Sequence, residues 1–232
     1  MVPNLVTMAA RDQERRLTMP DARAREAWDG DSWEGVTVVR GRRVYLRTLG
    51  RDDLPYLAEW ADDPFQKEMV GSDLLSTFKE IYRESPSFLK ALHADPTQVV
   101  YVIASDRWSK PIGLVRLFNL HVKDGYAFLE TIVADQKALR MGFGVEASRL
   151  IAWWAMDVLG LRRLEAKVFP HNLLSINTMK RRGWKLEGVL REAALYKGEY
   201  IDLLVFGILR QELELQRKAD TWTPTYYPVP HP

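Results

Sequence analysis

Alternating apolar and polar positions mark two short strands at residues 36–39 and 43–48, separated by Gly41. Asp52 or Asp53 caps a helix to about Ala61, with Pro55 tolerated in its first turn and Pro64 just past its end. A second helical stretch spans 65–92, broken near Pro86. Three β-rich apolar runs follow, at 98–105, 112–120 and 126–134, joined by turn-forming segments 106–111 and 123–125, and they read as an antiparallel meander. The chain then enters a helix to about Leu159, with Ala147, Leu150, Ile151, Trp154 and Val158 on one stripe and Gly160 as its stop. A strand at 164–169, a helix opened by Asn172 and ended by Gly183, and strands at 184–192 and 200–209 complete the pattern. Helices that interrupt a sheet starting antiparallel predict a single-domain α/β fold: a mixed, mainly antiparallel twisted sheet with helices on both faces.

The ends differ from this core. Residues 1–35 form a polar extension, with a short helix expected around 21–28, and 213–232 form a tail rich in proline and aromatics that runs extended, either packed on its own domain or docked to a partner. The domain proper is therefore expected at 36–212. The full chain of 232 residues contains no cysteine, which excludes a disulfide framework, a thiolate zinc site and a cysteine nucleophile, and agrees with a reducing, cytoplasmic setting. No apolar stretch approaches the ~20 residues of a membrane span, and the charged N-terminus does not read as a secretory signal. With 33 basic against 31 acidic side chains, nothing draws the whole chain to nucleic acid, and the four histidines lack metal-ligand spacing.

The chemistry concentrates where the third meander strand meets the next helix. In Arg140-Met141-Gly142-Phe143-Gly144, the glycines let the backbone approach an anion, and the helix start offers unpaired N–H groups at the positive end of a dipole. Two glycines alone equally suit a tight strand-to-helix turn. No Gly-Lys-Ser/Thr follows, so it is not a Walker loop. Further on, Pro170-His-Asn172-Leu-Leu-Ser175 supplies a capped helix that stops at Gly183-Trp184.

Together the two elements resemble the GNAT superfamily of acyl-CoA-dependent N-acetyltransferases, over about three quarters of the chain. Asn172-x-x-Ser175, Gly183-Trp184, Glu187-Gly188 and Gly198-Glu-Tyr-x-Asp202 resemble the branch that acetylates N-terminal alanines of ribosomal proteins, which also includes small-molecule acetylators. The resemblance implies acetyl-CoA as acyl donor and a small-molecule or peptide amine as acceptor. It implies a splayed strand whose backbone at Ile132, Val133 and Ala134 holds the pantetheine arm, and a turn (Arg140, Met141, Gly142, Phe143, Gly144) that wraps the diphosphate. It further implies Asn172 on the cofactor arm, Lys180 among basic residues facing cofactor phosphates, Ser175 near the sulfur as acid, and a homodimer through the last strands as an available assembly.

Acyl transfer to an amine needs a proton acceptor, and Glu130 interrupts the apolar run Ala-Phe-Leu-Glu-Thr-Ile-Val-Ala. It is a base if it faces a cavity, and otherwise a solvent-face glutamate or half of a structural ion pair. Ser175 is equally a common first-turn residue, and His171 either relays a proton or is structural. Trp60, Phe65, Tyr82, Phe88 and Trp108 fall on segments that line the acceptor cleft in the family. Two positions depart from the family: Leu139 stands where Gln or Arg is usual, and Met179 where many relatives carry a tyrosine acid. These departures keep two alternatives in view, a non-catalytic acyl-CoA-binding protein and an enzyme taking its acyl group from an acyl carrier protein docked on the basic residues 180–182.

Overall fold

The computed structural model describes residues 34–82 and 87–228; the helix expected at 21–28 and the break at Pro86 lie outside them. Among the described residues nine strands form one sheet: β1 Thr37–Arg40, β2 Tyr45–Thr48, β3 Val99–Ser105, β4 Trp108–His121, β5 Tyr126–Val133, β6 Arg163–Val168, β7 Lys185–Tyr196, β8 Glu199–Leu209 and β9 Thr225–Tyr226. Their spatial order is β7-β8-β6-β5-β4-β3-β2-β1-β9. Every pairing described is antiparallel except β5 with β6. The expected mixed, mainly antiparallel sheet with helices on both faces is the fold observed.

Alternation along the strands feeds two cores. One face of the sheet packs Leu117, Leu129, Leu164 and Ile208 against α5 (Phe143–Asp157), whose Ala147, Leu150, Ile151 and Trp154 form the expected stripe, while Val158, expected on it too, caps the helix end and is exposed. The other packs Val102, Leu114 and Ile132 against α1 (Leu54–Asp62), α3 (Asp73–Thr77) and α4 (Ser87–Ala94). Each fully buried Leu or Ile contributes roughly 1.5–3 kcal/mol of transfer free energy. A small third cluster, Val168, Ile176 and Phe206, seats α6 (Leu173–Arg181) beside β6 and β8.

One expectation needs correction. The stretch 65–92 is not one helix but α2 (Pro64–Met69), α3, a π-helical turn Phe78–Tyr82, and α4. Asp63 caps α2 by accepting from the Phe65 N–H at 2.8 Å, and Gly71 then breaks the helix at φ +57°, with the Phe169 ring so close that a Cβ would meet its Cζ at 2.7 Å. The break thus presses this turn onto the end of β6. The boundary at 212 falls inside a helix, α7 (Arg210–Ala219), supported by an Arg210–Glu214 pair one turn apart. Beyond it Trp222 packs on Trp153 of α5 at 5.2 Å, and Thr225–Tyr226 pairs with Arg40 and Val39 of β1. As far as residue 228, the tail packs on its own domain.

Candidate active site

The site begins with a parting of strands. Parallel pairing of β5 with β6 runs from Tyr126↔Arg163 through Phe128↔Glu165 and then ends, while β5 continues to Val133. On its other edge β5 stays on β4: Ile132 pairs with Leu114, and the Ala134 N–H donates to the Ile112 carbonyl at 2.9 Å. Successive residues of a strand aim their backbone groups to opposite edges. Of the three residues expected to offer free backbone groups, Ile132 and Ala134 therefore serve β4, and Val133 faces the opening. Its carbonyl accepts from Gln66 Nε2 at 3.0 Å, and the buried Gln66 Oε1 has no protein partner among the described residues. A buried amide oxygen without a partner is uncommon and marks the opening between β5 and β6 as a polar site.

The glycine turn closes the same end. Arg140 (φ +62°) and Gly142 (φ +81°) both take left-handed backbone, and α5 starts at Phe143 with Gly142 as its cap. Gly144 leaves no room for a side chain: a Cβ there would lie 2.6 Å from Val133 Cγ2, so helix and splayed strand touch. The turn is held from the β1–β2 connection. Arg43 donates from Nη1 to the Met141 carbonyl at 2.8 Å, from Nη2 to the Gly142 carbonyl at 3.3 Å and from Nε to Glu146 Oε2 at 3.0 Å. The buried Glu146 also accepts from the backbone N–H of Arg42 at 2.6 Å and of Arg43 at 2.8 Å. Phe143 sits between the Arg43 guanidinium (5.5 Å) and Trp108 (5.7 Å), and Trp108 Nε1 donates to Asp135 at 2.7 Å.

The opposite wall is the N-terminus of α6. Asn172 is buried, accepts from the Ser175 N–H at 3.0 Å and donates from Nδ2 to the Met69 carbonyl at 2.7 Å. Ser175 thus sits half-buried in the first turn, as the capped motif predicts. His171 is held between the Glu68 carbonyl (2.8 Å) and the Tyr196 ring (4.5 Å), and the Tyr196 hydroxyl donates to Glu68 at 3.1 Å. The tip of the β7–β8 hairpin therefore rests on α2 at the cleft rim.

A four-residue turn, 69–72, links this wall to Glu130. The Ser72 hydroxyl donates to Glu130 Oε2 at 3.1 Å, and Arg116 Nε lies 2.7 Å from the same oxygen. Arg116 also pairs with Asp73 through Nη2. Glu130 is thus no open solvent-face residue; it is half-buried and paired with the buried Arg116 on the face covered by α1–α4. Burial pushes its carboxyl above the usual range, Arg116 pulls it down, Asp73 pushes it up again, and the net shift is upward. Beside Arg116 a cavity of about 270 Å³ is lined by Asp73, Asp95, Phe88, Phe118 and Asn119, among others.

Several expectations move. Trp60 and Phe88 are core residues, although Phe88 lines that cavity, while Trp108 braces the glycine turn and not an acceptor wall. Tyr82's side chain lies outside the described residues. Met179 packs against the Val168–Ile176–Phe206 cluster. Among the basic residues, Arg163 is engaged by Glu165 and Glu187, and Arg149 by Asp220, Trp153 and Trp222. Lys180 lies exposed in the last turn of α6, away from its N-terminal wall. Sequence reasoning missed Arg43, Gln66, Arg116 and Glu146. The signal that singled out Glu130, a charge on an apolar face, was also present for Arg116 between Val115 and Leu117 and for Glu146 on the α5 stripe.

This architecture has known counterparts. Residues 43–185 match the family model described as an acetyltransferase (GNAT) domain. The probable N-acetyltransferase YjcK of Bacillus subtilis is 26% identical over 185 residues, covering 76% of this chain and 99% of that protein. Among solved structures, a spermidine N-acetyltransferase from Vibrio cholerae in complex with CoA and spermine superposes with TM-score 0.65 at 20% identity, over 74% of this chain and 98% of that one. Mycobacterium smegmatis RimJ in complex with CoA-disulfide gives TM-score 0.64 at 21% identity, over 80% and 93%. At such identities the two structures speak for the fold.

Proposed function

The chain belongs to the GNAT acetyltransferase family and is an N-acetyltransferase that uses acetyl-CoA; on that premise we propose that its donor lies in the β5–β6 opening and that Glu130 is the general base for a primary-amine acceptor. The observation that carries this reading is the junction of splayed strand and glycine turn, where Gly144 in the first turn of α5 lies directly against the Val133 side chain. The residues present fit the donor: Gly142 and Gly144 allow close approach, the start of α5 favours a diphosphate, and Val133 and Asn172 offer polar groups along the opening. Arg140, Met141 and Phe143 of the turn complete the proposed donor contacts at the opening, and Lys180, at the far end of α6, is proposed for a cofactor phosphate outside it.

In the transfer the amine nitrogen bonds the acetyl carbonyl carbon, the C–S bond breaks, the amine proton passes to Glu130 directly or through water, and the thiolate takes a proton. Ser175 is our proposed source of that proton, since Met179 brings no hydroxyl to the position the tyrosine acid usually holds. The buried Arg116 keeps the Glu130 carboxylate from the full cost of burial while leaving its proton affinity raised, which suits a base. Glu68 is balanced by Lys197, but Asp73 and Glu130 share the single cation Arg116 and leave the acceptor side a net negative charge, which supports a cationic amine, either a small polyamine-like molecule or a protein N-terminus as in the RimJ branch. We assign the transfer domain to 36–212, braced from behind by 213–232, and infer a cytoplasmic site of action from the cysteine-free sequence. No described helix is long and apolar enough to cross a membrane. The exposed row Leu186, Val189, Leu195 and Tyr200 supports homodimerisation through β7–β8.

Thiol release from acetyl-CoA, followed with spermidine and with an alanine-starting peptide, tests the reading. Acetylated amine in stoichiometric step with free CoA is expected. Binding of acetyl-CoA without turnover on any amine would favour a non-catalytic protein, and activity restored only by an acyl carrier thioester would move the donor to a carrier protein.

A further inference from the structure

We propose that Arg43 is the positioning residue that turns the glycine loop into a diphosphate site, and that Glu146 exists to hold Arg43 in that task. The inference rests on the reading above that the loop receives the donor's diphosphate. In a trans peptide the C=O and the following N–H point in opposite directions, and no cis peptide occurs among the described residues. Arg43 draws the carbonyls of Met141 and Gly142 toward itself. The N–H groups of Gly142 and Phe143 must then point away from Arg43, out of the turn at the start of α5. The Gly142 carbonyl also accepts the first helical bond, from the Glu146 N–H at 3.1 Å, so Arg43 reinforces that plane; at the Met141–Gly142 peptide Arg43 supplies the fixing contact, because α5 has no side-chain cap and Gly142 is the most permissive residue available.

The clamp is built, not incidental. A guanidinium presents its donors in a fixed fork, and here each of its three nitrogens is engaged: two on loop carbonyls and the third on Glu146. Glu146 is itself fixed by the backbone N–H groups of Arg42 and Arg43, and Gly41 is required beside it because a Cβ there would meet Glu146 Oε1 at 2.6 Å. The β1–β2 connection is thereby tied to the first turn of α5 across more than a hundred residues of sequence. The arrangement also answers the departure at Leu139: with an apolar side chain at the usual cationic position, diphosphate recognition falls to the backbone N–H groups, and their orientation falls to Arg43.

Calorimetric titration of CoA and of dephospho-CoA into the full chain, into Arg43→Gln and into Arg43→Lys, with a thermal melt of each, tests this. The expectation is that Arg43→Gln weakens both ligands by the same factor, about ten- to thirtyfold, equivalent to roughly 1.4–2 kcal/mol. Arg43→Lys should recover only part of the loss, since one ammonium cannot serve two carbonyls and Glu146 together. A lowered melting temperature with unchanged Kd for both ligands would reduce Arg43 to a stabilising contact and overturn the proposal. A loss confined to CoA would place Arg43 on the 3′-phosphate and overturn it equally. If Arg43→Gln does not fold, Arg43→Lys decides: unchanged affinity for both ligands defeats the idea. Failure of the unaltered chain to bind either ligand would instead remove the donor-site reading beneath it.

Discussion

Two helix N-termini face one another across the β5–β6 opening, and they are secured by opposite means. The start of α6 is capped locally: Asn172 accepts from the N–H three residues ahead and anchors itself once, on the Met69 carbonyl. The start of α5 has no cap side chain and is held from about a hundred residues away, by Arg43, which the helix's own Glu146 anchors. A cap oxygen occupies the N–H groups it serves, so a helix start meant to bind an anion must be fixed by something other than its own side chain. The uncapped terminus keeps its donors for a ligand; the capped one spends them on rigidity and presents side chains instead. Donor binding and proton handling are thereby assigned to different walls, and each assignment can be broken separately.

The sharpest break is Glu130→Gln, which leaves both helix termini intact and removes the proposed base. Turnover should fall by about 10²- to 10³-fold, with acetyl-CoA affinity, measured by calorimetry, unchanged. Equal loss of both would make Glu130 part of the scaffold of the opening and merge the two walls into one. Next comes Asn172→Ala. Loss of a cap costs roughly 1 kcal/mol, and the orphaned Met69 carbonyl adds about another 1 kcal/mol at the low end of the penalty for an unsatisfied buried group. A thermal melt should then drop by about 4–8 °C for a domain this size. A melt that hardly moves would show that α6 is fixed by its Ile176 contacts and that the cap is dispensable.

These two walls also separate what the sequence discloses from what it hides. The cap of α6 lies within four residues, so its residue types and spacing announce it. The α5 stripe, the meander and the glycine turn are legible for the same reason: each depends on period or on neighbours. Arg43 and Glu146 are 103 positions apart, Gln66 and Val133 are 67 apart, and only the completed sheet brings them together. Helix breaks at 65–92 were obscured because Gly71, the decisive residue, acts through contact with Phe169, almost a hundred positions on. The Glu130 environment was half legible. A charge in an apolar run announced a buried partner, but Arg116, in the same predicament on the neighbouring strand, could be matched to it only through the register that sets Arg116 opposite Glu130.

Gly144→Ala probes the uncapped wall from the side. Its new methyl would need about the space that Val133 Cγ2 now fills, at 2.6 Å, so α5 must back away from the splayed strand. Acetyl-CoA affinity should fall about tenfold, near 1.4 kcal/mol, while the rate at saturating donor holds. A fall in the saturated rate with affinity preserved would mean that the junction of Gly144 with Val133 serves the reacting carbonyl and not the diphosphate.

The smallest effect is a shift along the pH axis, and it is the most specific to the capped wall. A base must be ionised to act, so kcat/KM rises with pH through the pKa of Glu130, which burial holds above the ordinary carboxylate range. Arg116 lowers that pKa and Asp73 raises it. Arg116→Gln should therefore move this rising limb to higher pH, and Asp73→Asn should move it lower, both by removing the direct interaction and by leaving Arg116 to Glu130 alone. The acceptor amine produces a second rising limb of its own as it loses its proton, and neither substitution touches that one. Opposite displacements of a single limb by two neighbours identify the titrating group as Glu130. A limb that stays fixed under both changes would assign it to the amine, leave water to accept the proton, and make the ion pair at Arg116 and Glu130 a tie between β4 and β5.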